Sequence, residues 1–141
     1  MMYEVRNAVS DDLNDIIRIE QTFGAEAFSK RTLRQQLKNT IVLKDEEVLG
    51  YCIFFKFKHS ARIYSIAVDE NHRRKGLGKI LLKEVENRCQ EMDIAKLTLE
   101  VAIDNIAAQH VYSLMGYTKI KDLSDYYDLG RHAIKLSKNL K

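Results

Sequence analysis

The sequence has no proline, no tryptophan, only two cysteines, and no apolar run approaching the ~20 residues that a membrane-spanning helix needs. The last absence argues against a membrane partner. Cys52 and Cys89 offer neither a metal-ligand spacing nor a disulfide framework. The four histidines, His59, His72, His110 and His132, show no metal spacing, so no metal is expected. The opening residues, Met1-Met2-Tyr3-Glu4-Val5-Arg6, lack the apolar stretch of a secretory signal, and a cytoplasmic protein is the expectation. Charge of one sign is also scarce. With 23 basic and 20 acidic residues the net charge is +3, too mild a surplus to imply a nucleic-acid partner. No repeat, low-complexity tract or linker interrupts the chain, and the missing proline carries no functional reading.

What is present suits a folded protein. A chain of 141 residues, 45% of them hydrophobic, can bury a core without a disulfide or metal staple. One domain over residues 1–141 is expected, as a monomer or weak homo-oligomer. Met2 to Ala8 reads as a strand. Ser10-Asp11-Asp12 then supplies a cap and an acidic first turn for a helix over about residues 11–23, with Leu13, Ile16, Ile17 and Phe23 at helical spacing. Ser29 caps a second short helix holding Leu33 and Leu37. Thr40–Lys44 and Val48–Phe57 read as a hairpin around Asp45-Glu46-Glu47, and Arg62–Val68 as a further strand. A polar loop, Asp69 to Gly78, leads into a helix striped by Leu82, Val85, Cys89 and Met92. Ala95–Val101 is a strand. Asn105 caps a helix with Ala108, Val111, Tyr112 and Met115 on its inner face, which Gly116 ends. Tyr117–Leu123 and Tyr127–Leu136 close the chain as strands. The expected fold class is α+β, a single mixed sheet of about seven strands flanked by about four helices, because hairpins make antiparallel pairs and strand–helix–strand units parallel ones.

The loop Arg73-Arg74-Lys75-Gly76-Leu77-Gly78 stands between a strand and a helix. Its glycines admit a ligand to the backbone, the helix start offers unpaired N–H groups, and Arg73, Arg74, Lys75 and Lys79 add positive charge. These suit a phosphate or pyrophosphate. A solvated basic turn is the other reading of the loop alone. The spacing is neither that of a nucleoside-triphosphate loop nor that of the three-glycine dinucleotide fingerprint.

Ile66-Ala67-Val68-Asp69 followed by Arg73-x-x-Gly76-x-Gly78 resembles the acetyl-coenzyme A signature of the GCN5-related N-acetyltransferases (GNAT), and the element order matches that fold over essentially the whole chain. Leu99-Glu100-Val101, Asn105, Ala107-Ala108, Tyr112 and Gly116-Tyr117 resemble the second half of the RimI and Ard1-type protein N-terminal acetyltransferases. Ile19-Glu20-Gln21, Phe28-Ser29 and Tyr126-Tyr127 are similar to their first helix, loop and paired tyrosines. Phe28 stands where many relatives carry Trp, and His132-Ala133 where Asp-Ala is usual.

The resemblance implies acetyl-CoA as co-substrate. Its pyrophosphate would lie on the backbone of Arg73, Arg74, Lys75, Gly76, Leu77, Gly78 and Lys79, and its pantetheine arm on Ile66, Ala67, Val68 and Asn105, in a sheet whose strands splay there. The acceptor would be a protein or peptide N-terminus, ribosomal proteins included. Alternatives are a small amine, a lysine side chain, or a non-catalytic acetyl-CoA sensor or partner subunit. Glu100, across the strand from Leu97, Leu99 and Val101 and near its C-terminal end, is the candidate base, or else a solvent-facing carboxylate. Tyr112, on an inner helix stripe, is the candidate acid or a core tyrosine, since a phenol can protonate a thiolate. Asn105 reads equally as a helix cap. Glu20, on an apolar stripe, must be paired, protonated or lining a cleft. The resemblance puts it with Phe28, Tyr126 and Tyr127 in the acceptor site, or gives it a secondary base role. Covalent catalysis by Cys52 or Cys89 is disfavoured, since Cys89 falls on a buried helix stripe and Cys52 inside a strand, whereas activation needs an exposed, electropositive setting.

Overall fold

The computed structural model describes residues 2–141, apart from the side chains of Ala25 and Glu26. Seven strands form one mixed sheet: β1 (Glu4–Asn7), β2 (Thr40–Lys44), β3 (Val48–Lys56), β4 (Ser60–Val68), β5 (Lys96–Ala102), β6 (Thr118–Asp128) and β7 (Arg131–Asn139). Four helices accompany them: α1 (Leu13–Glu20), α2 (Lys30–Gln35), α3 (Leu77–Glu91) and α4 (Ile106–Leu114). The strand order is β1-β2-β3-β4-β5-β7-β6. β4 and β5 run parallel, while β1–β2, β2–β3, β5–β7 and β6–β7 are antiparallel. Both strand–helix–strand units of the sequence are present, but β7 inserts between β5 and β6, so the second unit joins strands that do not touch.

The β4–β5 ladder is short. It pairs Ser60–Ile63 with Lys96–Leu99 and stops, although β4 continues to Val68 and β5 to Ala102.

The residues group into two compact units. One holds the chain up to Phe54 together with Ser65–Val85, and the other holds Phe55–Tyr64 with Glu86–Lys141. In the first, Ile41, Val42 and Leu43 of β2 and Leu49, Tyr51, Cys52 and Ile53 of β3 are all buried, the pattern of strands covered on both faces. Gly50 belongs to this core for a steric reason. A Cβ there would lie 2.9 Å from the Ala67 carbonyl oxygen and 3.0 Å from Leu81 Cδ1. In the second unit, Glu86 is buried and its carboxylate accepts from the Tyr117 hydroxyl at 2.8 Å and from Lys138 Nζ at 2.9 Å. Burial, reinforced by Glu86, pushes the Cys89 thiol up to about 11.

Several local expectations need correction. The first helix is α1 alone, flanked by 3-10 turns over Ser10–Asp12 and Gln21–Glu26, the second of them interrupted at Gly24, which turns to φ 63°. Its buried stripe is Leu13, Ile16, Ile19 and Glu20, and Phe23 is exposed. Met92 lies past the end of α3 and is also exposed. The break between the last two strands, expected after Leu123, is instead an irregularity inside β6 around Ser124-Asp125. Asp125 takes φ 53°, the β6–β7 register shifts between Leu123 and Asp128, and the reversal falls at Gly130 with φ 78°. Tyr126 and Tyr127 therefore both lie near the end of β6, and the last strand opens at Arg131 rather than at Tyr127.

Asp12 sets the start of α1. Its carboxylate accepts from Arg6 Nη1 and Nη2 at 2.8 and 3.0 Å and from the Val9 N–H at 2.8 Å. The Arg6 hydrogen bonds hold its pKa below the usual aspartate value. A depressed folded pKa stabilises above the unfolded value, near ~3.9, and that contribution disappears as pH falls through the folded value. Asp12→Asn should therefore lower stability at pH 7 by about 1–3 kcal/mol, and its gap to wild type should narrow below about pH 4. Thermal denaturation across pH 7 to 2.5 measures this, and a constant gap would contradict it.

Candidate active site

In the first unit the segment after β4 is built around Asp69. Its carboxylate accepts from Arg18 Nη1 of α1 at 2.6 Å and from the Asn71 N–H at 2.9 Å, and its own N–H donates to the Leu49 carbonyl at 2.7 Å. Burial works against the charged carboxylate, but these bonds outweigh it and keep the pKa low. The chain then exposes Arg73, Arg74, Lys75 and Gly76 and enters α3 at Leu77. Arg74 and Gly76 adopt φ 66° and 77°, so the loop curls tightly before the helix. Gly76 is required by that conformation. Gly78 is not: its φ is ordinary, and a Cβ would meet only Val68 Cγ2, at 4.0 Å. A glycine in a helix costs roughly 0.5–1 kcal/mol against alanine, and no protein atom here accounts for it. A ligand pressed against the backbone of the first turn would.

The same unit contains Glu20, at the end of α1 and only 1% exposed. Its Oε1 accepts from the Tyr51 hydroxyl and, at 2.8 Å, from Ser65 Oγ. Its Oε2 accepts from the Phe28 N–H at 3.1 Å. Burial and the Glu20 charge drive the Tyr51 pKa far up, so the phenol stays protonated and donating. Glu20 thus ties the backbone at Phe28 to β3 and to the stretch of β4 beyond its ladder with β5.

In the second unit Glu100 of β5 is mostly buried, and its Oε2 accepts from Arg62 Nε at 3.0 Å. Arg62 Nη2 donates to the Tyr126 hydroxyl at 2.9 Å. Burial opposes the Arg62 charge, but Glu100 more than compensates and raises its pKa. Burial and then Glu100 raise that of Tyr126. The Tyr126 and Tyr127 rings meet edge to face with centroids 5.0 Å apart. Tyr112 is buried on α4, edge-on to Tyr117 at 5.7 Å. Asn105 caps α4, its Oδ1 accepting from the Ala108 N–H at 3.2 Å. The structure thus joins Glu100 to Tyr126, and Glu20 to Phe28. Sequence reasoning missed the residue that makes the first connection, Arg62. The available signal was its place between the buried Ala61 and Ile63, which sends it to the opposite face of β4.

The sequence pattern of the acetyltransferase (GNAT) family matches residues 4–117. The chain belongs to this family. It is an N-acetyltransferase, and GNAT enzymes take their acetyl group from acetyl-CoA. The [ribosomal protein bS18]-alanine N-acetyltransferase of Haemophilus ducreyi is 29% identical over 129 residues, covering 89% of each chain. An N-alpha-acetyltransferase of Saccharolobus solfataricus is 27% identical over 156 residues, covering 98% of this chain and 93% of its own. Among solved structures, Ard1 from Thermoplasma volcanium superposes with a TM-score of 0.91 at 26% identity, covering 99% of this chain and 98% of its own.

The GNAT donor fits what the loop offers. A pyrophosphate suits the basic loop, the start of α3 and the unexplained glycine at 78. The β4 backbone from Ser65 to Ala67 lies outside the ladder with β5, and an amide-bearing arm suits a strand edge that β5 does not pair. Among the described residues no group of three or more His, Cys, Asp or Glu side chains gathers as a metal site. No helix among them is long and apolar enough to cross a membrane.

Gly78→Asp should fold, given the open space at its Cβ, yet weaken acetyl-CoA binding through bulk and charge. Calorimetric titration tests this, and unchanged affinity in the folded variant would contradict the assignment. Glu100→Gln should reduce turnover by roughly 10²–10⁴-fold, most at low pH, where the acceptor amine is protonated. A constant ratio to wild type from pH 6 to 10 would instead make Glu100 a positioning group.

Proposed function

We propose that the chain acts as one cytoplasmic acetyltransferase domain, monomeric or weakly self-associating, that moves the acetyl group of acetyl-CoA directly onto the N-terminal α-amine of a protein, ribosomal proteins included. The observation that carries this reading is similarity over about nine-tenths of the chain to a bacterial ribosomal-protein alanine acetyltransferase, and over nearly all of it to an archaeal N-alpha-acetyltransferase.

The donor supplies an acetyl group activated as a thioester, and the chain's residues manage the protons. The acceptor amine must be neutral to attack. Deprotonating an α-amine at pH 7 costs roughly 1.4 kcal/mol, against about 4.6 for a lysine, from their reference pKa values. A single carboxylate therefore suffices for an N-terminus. Arg62 occupies Glu100 Oε2, while Oε1 accepts no hydrogen bond from any described residue and stands ready for the amine proton. Tyr112 returns a proton to the departing thiolate. The loop from Arg73 to Lys79 holds the pyrophosphate, and Ile66, Ala67, Val68 and Asn105 serve the pantetheine arm. Glu20 fixes the backbone at Phe28, and Phe28, Tyr126 and Tyr127 receive the acceptor. The edge-on tyrosine pair suits a peptide backbone better than a compact amine.

Transfer from labelled acetyl-CoA to a panel of N-terminal peptides, alongside N-terminally blocked lysine peptides and polyamines, tests the reading. Free α-amines should be far better acceptors. Tyr127→Ala should raise KM for the peptide and leave KM for acetyl-CoA nearly unchanged. Equal turnover of blocked lysine peptides or polyamines would replace this function with acetylation of a lysine or small amine.

A further inference from the structure

Building on the N-terminal reading, we propose that Arg62 is a positioning residue that clamps Glu100 and Tyr126 together and turns the Tyr126 hydroxyl into a hydrogen-bond donor toward the acceptor peptide. Arg62 lies on β4 in register with Thr98 of β5, two residues before Glu100. It therefore leaves the sheet on the side where Glu100 stands. Its guanidinium uses two separate donors, Nε to Glu100 Oε2 at 3.0 Å and Nη2 to the Tyr126 hydroxyl at 2.9 Å. The guanidinium carbon rests 5.7 Å from the Tyr64 ring centroid, and Tyr64 packs on Phe55 with centroids 5.0 Å apart, so an aromatic floor supports the clamp.

The direction of the second bond has a chemical consequence. A guanidinium only donates, whereas a phenol both donates and accepts. In the Arg62–Tyr126 bond the phenol oxygen must be the acceptor, so the one phenolic proton is left for another partner. The group that such a proton recognises is a carbonyl oxygen, and a peptide N-terminus presents its first carbonyl beside the reacting amine. The same guanidinium keeps Glu100 Oε2 engaged, leaving Oε1 to face the amine. One side chain thus sets the orientation of the proton acceptor and of the carbonyl donor. A lysine could replace its charge but not its fork, because an ammonium is a point donor.

A double-mutant cycle on the full chain tests this, with Arg62→Gln, Tyr126→Phe and the combined variant. Kinetics use acetyl-CoA and a free N-terminal peptide that wild type acetylates. Each single variant should raise KM for the peptide roughly 3–10-fold, the value of one such hydrogen bond, and leave KM for acetyl-CoA within about twofold. The combined variant should be no worse than the poorer single one, because both remove the same interaction. Arg62→Lys should recover thermal stability without recovering peptide KM, and it takes the place of Arg62→Gln in the cycle if that variant does not fold. Additive losses, or an unchanged peptide KM in the Arg62 variants, would overturn the proposal while leaving the N-terminal reading standing. A wild-type preference for blocked lysine peptides would overturn the N-terminal reading itself, and with it the carbonyl-donating role of Tyr126.

Discussion

Taking a carboxylate out of water is so unfavourable that it must be repaid by donors placed around it. Asp12, Glu20, Asp69 and Glu86 are all at least 95% buried, and each is answered by partners brought from elsewhere in the chain. Arg6 meets Asp12 where the chain enters α1. Tyr51, Ser65 and the Phe28 N–H meet Glu20 where α1 ends. Arg18 meets Asp69 where β4 gives way to the glycine loop. Tyr117 and Lys138 meet Glu86 midway along α3. Each arrangement pins an element boundary or a helix in place. The loop proposed for the pyrophosphate begins at one such pin, and the backbone at Phe28, proposed for the acceptor side, hangs from another.

Much of this was legible from local pattern. The β-branched run of β2 and β3, the Ser29 and Asn105 caps, and Gly116 after α4 depend on neighbours a few residues away, and the structure places them as their chemistry suggests. The basic glycine loop was legible for the same reason, since a strand, a tight turn and a helix start are consecutive in sequence. Glu100 and Tyr112 could be nominated by strand alternation and helical stripe, together with the family resemblance.

What stayed hidden depends on partners far apart in sequence. Arg62 is 38 residues from Glu100 and 64 from Tyr126. On its own strand it looks like any polar residue facing away from the core. Glu20 reads as a misplaced charge on an apolar stripe until β3 and β4 bring two hydroxyls to it. The irregularity in β6 escaped because Ser-Asp is good turn chemistry. The φ of Asp125 uses that propensity without reversing the chain, which Gly130 does five residues later. Insertion of β7 between β5 and β6 is a matter of sheet order, which no local pattern encodes.

The irregularity in β6 also bears on solubility. β6 and β1 are the two outer strands, and a flat, regular outer strand is a template on which other chains can add. β1 has only four residues. β6 has eleven, but its pairing register breaks twice, and Lys119, Lys121, Asp122, Asp125 and Asp128 stud it with charges of both signs. A strand bent and charged in this way is a poor surface for cross-chain pairing. The departure from regularity that carries Tyr126 and Tyr127 at its end thus doubles as protection against aggregation.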